Sequence, residues 1–506
     1  MQVFMGGQGG CRLENGTNGE RAGLLIDFGR ELHGNLRLTV SEVKSVSGRA
    51  RVLVRFGESV MEALAPVGSL NATNDHAVRD HVYDIGMLST TETNESGFRF
   101  AFIRLEEECA SVTIQALHMC FIYRDIPWLG SFECSDPLLE RIWTTAAYTV
   151  HLNMQNYLWD GIKRDRLAWQ GDMHTEIMSI ESVFGADPVV PKSLDFLRDG
   201  TPGDDWINGY SSYSLWWIII QAEWYRYTGD REYLAQQKDF LKAQLTMAMA
   251  HVDENGRECF PGFRFLDWKN LENKPATHAG LQALLVMALK DGAYLLQVLG
   301  EEELAQKCRA LEARMTAEVP CGGDAKQAAA VPCGGDAKQA GAVPDCGDAK
   351  QTAAVPDCGD AKQTAAVSDC GDAKQSAAVP DCGGSKQAAA LLSLSGLGDA
   401  AALDRNVISP GGAHGYSTFM GYYLLAAKAM AGNVQGALDD MRAYWGGMLS
   451  LGATSFWEDF DLDWMENAAG IDEITPEGKV DVHGQYGAFC YEHYRHSLCQ
   501  DRKSVV

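Results

Sequence analysis

The sequence has no long hydrophobic run. Its longest apolar stretch, LWWIIIQA at residues 215–222, is much shorter than the roughly 18 residues that a membrane-spanning helix needs. The amino-terminal segment MQVFMGGQGG also lacks the basic residues and the apolar core of a secretory signal peptide. We therefore expect a soluble, cytoplasmic protein that has no membrane partner.

Basic side chains are scarce, because 43 Lys and Arg stand against 68 Asp and Glu and give a net charge of −25. No Lys/Arg cluster reverses this balance locally, so nucleic acid, whose phosphates an acidic surface repels, is not an expected partner. A wholly disordered chain is excluded as well, because 12 Trp and 9% aromatic residues supply much surface to bury. The oligomeric state cannot be read from these features.

The 14 cysteines include no C-x-x-C pair and no His at zinc-finger spacing, so free thiols are expected and no metal site is predicted. Six of them recur in residues 319–390, where a 12-residue unit of the type V-P-D-C-G-D-A-K-Q-T-A-A is repeated. The unit offers little apolar surface and contains Pro and Gly, so we interpret 319–390 as a disordered insertion. A Cys-rich metal-binding tract is the alternative, although each copy has one Cys and no His.

Residues 1–126 predict a β-sandwich domain, because short apolar or alternating runs are separated by Gly, Asn and Ser-rich turns. The predicted strands are 24–28, 36–40, 50–56, 98–105 and 110–117. From Ser135, a predicted N-cap, the period becomes helical and indicates a second domain at 127–500. Further helices are predicted at 173–197, 212–227, 231–252, 277–299, 301–317, 415–431, 434–450 and 484–498. Helix pairs of this kind form a bundle, a solenoid or a toroid, and their spacing alone does not choose.

Two segments concentrate acidic, basic and aromatic residues. The first is WDGIKRDRLAWQGDMHTE at 159–176, and the second is TSFWEDFDLDWME at 454–466. Carboxylates crowded in this way repel one another, which raises some pKa values and suits acid/base chemistry. A solvated loop with surface ion pairs is the alternative for the first segment. For the second it is a calcium site, although the regular D-x-D-x-D-G loop is absent.

Aromatic residues combined with paired carboxylates are typical of carbohydrate chemistry. Sugar rings stack on Trp, and glycosidic cleavage needs one carboxylic acid for the leaving oxygen and a second carboxylate as base or nucleophile. Trp217 and Trp268 extend this composition through the helical region, although several Trp residues there also fit a core.

WDGIKRDRLAWQGD resembles the D-x-x-x-R-[D/E]-x-x-x-W-x-G-D motif of bacterial α-L-rhamnosidases, which are glycoside hydrolase family 78 in the six-hairpin glycosidase superfamily. SFWEDFD is similar to the second catalytic motif of that family. The resemblance covers nearly the whole chain outside the repeats. It implies a β-sandwich followed by an (α/α)6 toroid, and an inverting enzyme that releases terminal α-L-rhamnose from a carbohydrate substrate without a cofactor.

The resemblance also implies roles for individual residues. Glu458 matches the general base, and Asp165 is the candidate general acid because the Glu of the family's R-D-E-R stretch is missing here. The residues expected to contact the sugar are Asp160, Arg164, Trp169, Asp172, Trp217, Trp268 and His483.

The missing Glu leaves two alternatives open: a non-catalytic carbohydrate-binding relative, and a toroid glycosidase of different sugar specificity. The sequence ends at SLCQDRKSVV, earlier than is usual in the family. We therefore expect about ten helices rather than twelve and an incomplete carboxyl terminus. The aglycone and the linkage cannot be read from the sequence.

Overall fold

The computed structural model describes residues 10–67, 69, 79–163, 165–316, 379–458 and 460–482. Arg164, His483 and the predicted helix at 484–498 lie outside the described residues, as do most copies of the 12-residue repeat.

The amino-terminal part is an antiparallel β domain. Its strands within the described residues are β1 Cys11–Glu14, β2 Gly23–Lys44, β3 Arg49–Gly57, β4 Asp80–Gly86, β5 Ser89–Glu92, β6 Ser96–Leu105 and β7 Ser111–Phe121. They form one sheet of order β1-β7-β2-β6-β3-β4, with β5 paired to β2. A short helix, α1 Val60–Leu64, follows β3. The five predicted runs are therefore confirmed as strands, and the first two of them are parts of β2.

Strand β2 organises this sheet because it is long enough to pair with different partners along its length. Residues 23–34 pair with β6 and residues 34–44 with β7, and the register shifts between Asp27 and Leu32. Alternate residues of its second half point into the core, where Leu36, Leu38 and Val40 are almost completely buried. This alternation is the reason why the sequence pattern identified the strand.

The remainder is a helical domain. Its α-helices within the described residues are α2 Pro137–Asn153, α3 Met173–Val183, α4 Val189–Asp199, α5 Ser211–Thr228, α6 Arg231–Ala250, α7 Lys274–Val298, α8 Glu302–Thr316, α9 Lys386–Ser395, α10 Ala400–Leu403, α11 Gly421–Met430 and α12 Val434–Ser450. A two-residue parallel pair, β8 Ala468–Ala469 with β9 Val480–Asp481, follows α12.

Two details of the helix prediction were wrong. The N-cap of α2 is Asp136, whose side chain accepts from the backbone N–H of Leu138, rather than Ser135. The predicted helix 173–197 is divided into α3 and α4, because Gly185 adopts a φ of 83° and Pro188 follows it.

Every second helix belongs to a continuous inner series. Helices α3, α5, α7, α9 and α11 each pack against the next one, and α2 packs against α12. Helix α7 is long and apolar enough to cross a membrane by length and composition. However, 83% of its most apolar 18-residue window is buried inside the protein, which is the pattern of a core helix.

The repeat tract overlaps the helical domain, so its predicted boundary at residue 390 was wrong. Helix α9 begins inside the last copy, and Ala388 to Ala390 are fully buried. This copy has Gly384 at a φ of 73° and Ser385 as the N-cap, where the other five copies have Asp and Ala. Gly tolerates positive φ and Ser caps a helix, so the last copy is the one whose sequence suits a helix start. The seven cysteines within the described residues are all free.

Candidate active site

Both acidic motifs are attached to helix α2 by backbone hydrogen bonds. The backbone N–H of Phe456 donates to Thr149 Oγ1 at 3.0 Å, and that of Trp159 donates to the carbonyl of Asn153 at 3.1 Å. Thr149 and Asn153 are four residues apart on one helix, which is a rise of about 6 Å. The segments that carry Asp165 and Glu458 therefore begin from neighbouring points.

The first motif forms a closed loop. Asp160, which is buried, donates its backbone N–H to the carbonyl of Leu167 at 3.0 Å. Its Oδ1 accepts from the backbone N–H of Leu167 at 2.9 Å. Asp165 and Arg166, near the end of this loop, have φ values of 51° and 54°, which non-glycine residues disfavour. Asp160 was predicted to contact the sugar. In the structure its Oδ1 closes the loop.

The exit of this loop is fixed by the segment between α4 and α5. Gln170 donates its backbone N–H to Asn208 Oδ1 at 3.0 Å, and the Trp169 ring lies 6.3 Å from the ring of Tyr213. A Cβ atom on Gly171 would collide with the Tyr213 ring, so the glycine allows this close approach. Asp172 then ends a 3-10 turn at the start of α3.

The second motif is enclosed. Phe456 and Trp457 are almost completely buried and Glu458 is only 8% exposed. Two contacts attach the preceding residues to the β domain: Arg99 donates to the carbonyl of Gly452 at 3.0 Å, and the backbone N–H of Glu31 donates to Thr454 Oγ1 at 2.8 Å.

Six loops of the helical domain are linked to one another by contacts between their described residues, and we call this set the loop ring. It comprises the described residues of the segments 154–172, 200–210, 251–273, 379–386, 409–420 and 451–482. The linking pairs, besides those given above for the two motifs, are Trp206–Phe260, Asn273–Gly383, Lys386–Gly412, Asp267–Ser417, Lys269–Asp461 and His414–Asp463. Both acidic motifs belong to the loop ring.

Several buried polar atoms around the motifs have no hydrogen-bond partner among the described residues. They are Trp169 Nε1, the side-chain amide of Gln170, His174 Nε2, Asn270 Nδ2, Ser455 Oγ and Trp457 Nε1. Buried donors and acceptors are normally paired, so such a set is typical of a surface that binds a polar ligand. A sugar, with many hydroxyl groups, is a ligand of that kind.

His174 is held as a neutral hydrogen-bonding group. Its Nδ1 lies 2.8 Å from the Tyr423 hydroxyl and its ring stacks on Trp216. Burial lowers the pKa of His174 from 6.5 to about 4. The pKa of Tyr423 is raised, first by burial and then by neighbours that include Asp172. Neither group carries a charge near neutral pH.

The two predicted tryptophans outside the motifs differ in position. Trp217 is fully buried in α5, and its ring packs edge-on against Phe240 of α6 at 5.0 Å. Trp217 was predicted to contact the sugar; the structure places it in the contact between α5 and α6, and its Nε1 has no hydrogen-bond partner among the described residues. Trp268 is half-buried in the loop ring, next to Asp267, whose carboxylate accepts from Ser417 Oγ at 2.6 Å.

Asn208, Tyr423, Asp267 and Ser417 were not among the predicted site residues. The Asp267-Trp268 pair was the one signal available for this group, because the others are single polar residues whose partners lie far away in sequence. His174 stands within the first acidic segment and would have been found by considering that segment as a whole.

One group of possible metal ligands occurs within the described residues. The ligand atoms of His414, Asp461 and Asp463 lie within 4.8 Å of one another. Lys269 Nζ already contacts Asp461 at 3.0 Å, and His414 Nδ1 lies 2.9 Å from Asp463. These contacts make the group an ion-pair link of the loop ring.

An antiparallel sheet domain followed by a helical domain is consistent with the fold of solved α-L-rhamnosidase structures. Residues 127–320 match the model of the bacterial alpha-L-rhamnosidase six-hairpin glycosidase domain. The resemblance seen in the first motif is thereby confirmed. A search of the curated proteins found no match.

Solved rhamnosidase structures share the fold. A rhamnosidase from Klebsiella oxytoca with rhamnose bound is 18% identical, with a TM-score of 0.68 over 93% of this chain and 86% of that chain. The GH78 family rhamnosidase of Bacillus sp. GL1 is 21% identical, with a TM-score of 0.67 over 92% of this chain and 45% of that one. The α-L-rhamnosidase of Streptomyces avermitilis complexed with L-rhamnose is 16% identical, with a TM-score of 0.58 over 95% of this chain and 41% of that one. The chain thus spans most of the first protein and less than half of the other two.

Proposed function

We propose that this protein is a glycoside hydrolase that releases terminal α-L-rhamnose by an inverting acid/base mechanism. The observation that carries the proposal is the attachment of both acidic motifs to one turn of α2, at Thr149 and Asn153. The match of residues 127–320 to the rhamnosidase domain supports the substrate class. So does the rhamnose bound by the similarly folded Klebsiella oxytoca enzyme.

Glu458 is the general base in this proposal. Its carboxylate removes a proton from a water molecule, and the resulting nucleophile attacks the anomeric carbon. Asp165 is the general acid and donates its proton to the oxygen that leaves from the opposite face. Inverting enzymes keep the two carboxyl groups about 6.5–9.5 Å apart so that the water fits beside the sugar.

The remaining residues of the site bind the sugar. Trp169, Trp457 and His174 have buried ring N–H or nitrogen atoms that the described residues leave unpaired, and hydroxyl groups of the sugar are suitable partners. Because His174 is neutral, it contributes a directional hydrogen bond without a charge. Asp172 and Trp268 also belong to the loop ring, and in this proposal they bind the sugar as well.

We further propose that the helices form an (α/α)6 toroid and the strands a two-layered sandwich. The inner series α3-α5-α7-α9-α11 and the contact of α2 with α12 support a closed arrangement of hairpins. In a toroid, the loops that precede successive inner helices share one rim, and this agrees with the composition of the loop ring. The long strand β2, with different partners along its length, supports a folded sheet.

The test is hydrolysis of p-nitrophenyl α-L-rhamnoside by the full chain and by Glu458→Gln, with proton NMR of the first sugar anomer released. We expect turnover that gives the inverted β-anomer, and loss of turnover in Glu458→Gln. Initial release of the α-anomer would rule out inversion. Binding of L-rhamnose without turnover would favour a non-catalytic carbohydrate-binding protein. Turnover of other glycosides alone would favour a different sugar specificity.

A further inference from the structure

A buried cluster of charges joins the first acidic motif to the β domain. Lys163 Nζ donates to Glu58 Oε2 at 2.7 Å and to Glu62 Oε1 at 3.0 Å, and Arg79 Nε lies 3.4 Å from Glu62 Oε1. All four side chains are completely buried. We call these four residues the Lys163 cluster. Among the described residues it contains two cations and two carboxylates, and each buried charge lies beside an opposite one.

Helix α1 fixes the carboxylates of the Lys163 cluster. Ser59 caps α1 by accepting from the backbone N–H of Glu62, and Glu62 Oε2 accepts from the backbone N–H of Glu58 at 2.7 Å. The Glu62 carboxylate thus accepts from the backbone N–H of Glu58 with Oε2 and from Lys163 Nζ with Oε1. The arrangement is rigid, because the side chain is bonded at both oxygens.

The same helix also contacts the segment after the second motif. The backbone N–H of Val60 donates to the carbonyl of Ile471 at 2.8 Å. The first turn of α1 therefore binds the Asp165 segment through Lys163 and the Glu458 segment through Ile471. This double attachment gives the β domain a direct influence on the relative position of the two motifs.

Lys163 is two residues before Asp165, in the part of the loop that has unfavourable backbone geometry. Asp165 and Arg166 both adopt positive φ, and the loop is closed by the Asp160–Leu167 hydrogen bonds. Left-handed conformations of non-glycine residues persist where surrounding contacts hold them. Two contacts of this kind surround Asp165 and Arg166. Lys163, which precedes them, is held by its buried ion pairs, and Leu167, which follows them, is held by its hydrogen bonds to Asp160.

We propose that the Lys163 cluster is a clamp through which the β domain positions Asp165 for proton donation to the leaving oxygen. Lys163 is then a positioning residue, because it acts through Asp165 and is buried away from solvent. The inference rests on the proposed function, in which Asp165 is the general acid.

The test uses a charge-balanced variant and two aryl α-L-rhamnosides. Lys163→Met combined with Glu58→Gln removes one cation and one carboxylate, so that no unpaired charge is left in the core. One substrate has a 2,4-dinitrophenyl group, which leaves with little help from an acid. The other has a 4-methoxyphenyl group, whose departure depends on proton donation.

We expect kcat for the 4-methoxyphenyl substrate to fall at least tenfold more than kcat for the dinitrophenyl substrate, since acid catalysis contributes on the order of 10²–10⁴. Equal losses on the two substrates, or no loss on either, would overturn the inference. If the wild-type protein hydrolyses neither substrate, the proposed function itself fails. An active wild type with equal losses in the variant leaves that function standing and removes only the clamp.

Two further variants make the result specific. Lys428 and Asp440 form another buried ion pair, between α11 and α12, so Lys428→Met with Asp440→Asn is a matched control. It should change kcat for both substrates by the same factor. If the Lys163→Met/Glu58→Gln protein shows no cooperative unfolding transition, Glu58→Gln alone, which is isosteric and leaves the Lys163–Glu62 contact, carries the same test. A loss confined to the 4-methoxyphenyl substrate supports the clamp, and equal losses contradict it.

Discussion

The interior of the helical domain and the loop ring are built from different kinds of contact. Helices α5 and α7 are buried on nearly all sides and meet their neighbours through apolar side chains. The loop ring is joined by hydrogen bonds, ion pairs and aromatic edges between residues far apart in sequence. The interior therefore supplies stability, while the loop ring arranges the polar groups that perform chemistry. Substitutions in the two regions should separate these properties.

The largest expected effect is in the interior. Trp217→Ala removes a fully buried ring from α5 and should lower the free energy of unfolding by about 3–5 kcal/mol. Urea unfolding measures this loss, and active-site titration with a tight-binding rhamnose analogue gives kcat per folded molecule, which should stay close to wild type. A large fall in that kcat would assign Trp217 to sugar binding after all.

The next effect depends on pH and comes from the boundary between the two regions. His174 has a pKa of about 4 in the folded protein and 6.5 when unfolded, so between these values the unfolded chain binds more protons. Stability is complete above pH 6.5 and decreases as the pH falls towards 4, by about 2 kcal/mol at pH 5.

Urea unfolding at pH 7.5 and at pH 5 measures this contribution. His174→Gln, which cannot titrate, should reduce the difference between the two pH values by about 2 kcal/mol, and the contribution of His33, whose pKa burial also lowers to about 4, should remain. A variant as sensitive to acid as the wild type would show that other groups cause the loss.

A smaller effect is expected for a conservative change in the loop ring. Trp169→Phe keeps an aromatic ring and removes the unpaired N–H, which costs one hydrogen bond to substrate, or about 0.5–1.5 kcal/mol. KM should rise by about threefold to tenfold, while the unfolding midpoint stays unchanged. Trp224→Phe in α5 is the control, because Trp224 is buried and its Nε1 is not among the unpaired atoms, and it should leave KM unaltered. An unchanged KM in Trp169→Phe together with a raised KM in the control would contradict the division between interior and loop ring.

The smallest effect tests the last repeat copy, which joins the two regions. Ser385→Ala gives this copy the residue that the other copies have at the same position and removes the N-cap of α9. Unfolding free energy should fall by about 1 kcal/mol, with kcat unchanged. An unchanged stability would indicate that the cap of α9 contributes nothing measurable.

What the sequence could predict follows the same division. Strand alternation and helix periodicity are local, so the β runs and helices such as α6 and α12 were found within a few residues of their bounds. Local pattern was insufficient where tertiary contacts decide. Because α5 is apolar all round, its sequence did not show that Trp217 packs against Phe240. Helix α9 was hidden in the repeat, because one Gly and one Ser distinguish its copy.

The two motifs of the site could be predicted, but the contacts that hold them in place could not. Asp160, Asp165 and Glu458 could be singled out because their motifs resemble those of a known family. The partners of Lys163 are about a hundred positions earlier in the chain, and nothing in the sequence pairs them. The same applies to Asn208, which holds the first motif through a bond to Gln170. Such contacts depend on the fold as a whole.

The central claim is that Asp165 and Glu458 act as an acid/base pair across one sugar. A crystal structure of the full chain with L-rhamnose bound tests it most directly, by the separation of the two carboxyl groups and their position about the anomeric carbon. We predict that they lie on opposite faces of the sugar and about 6.5–9.5 Å apart. Carboxyl groups on the same face, or more than about 10 Å apart, would contradict the assignment.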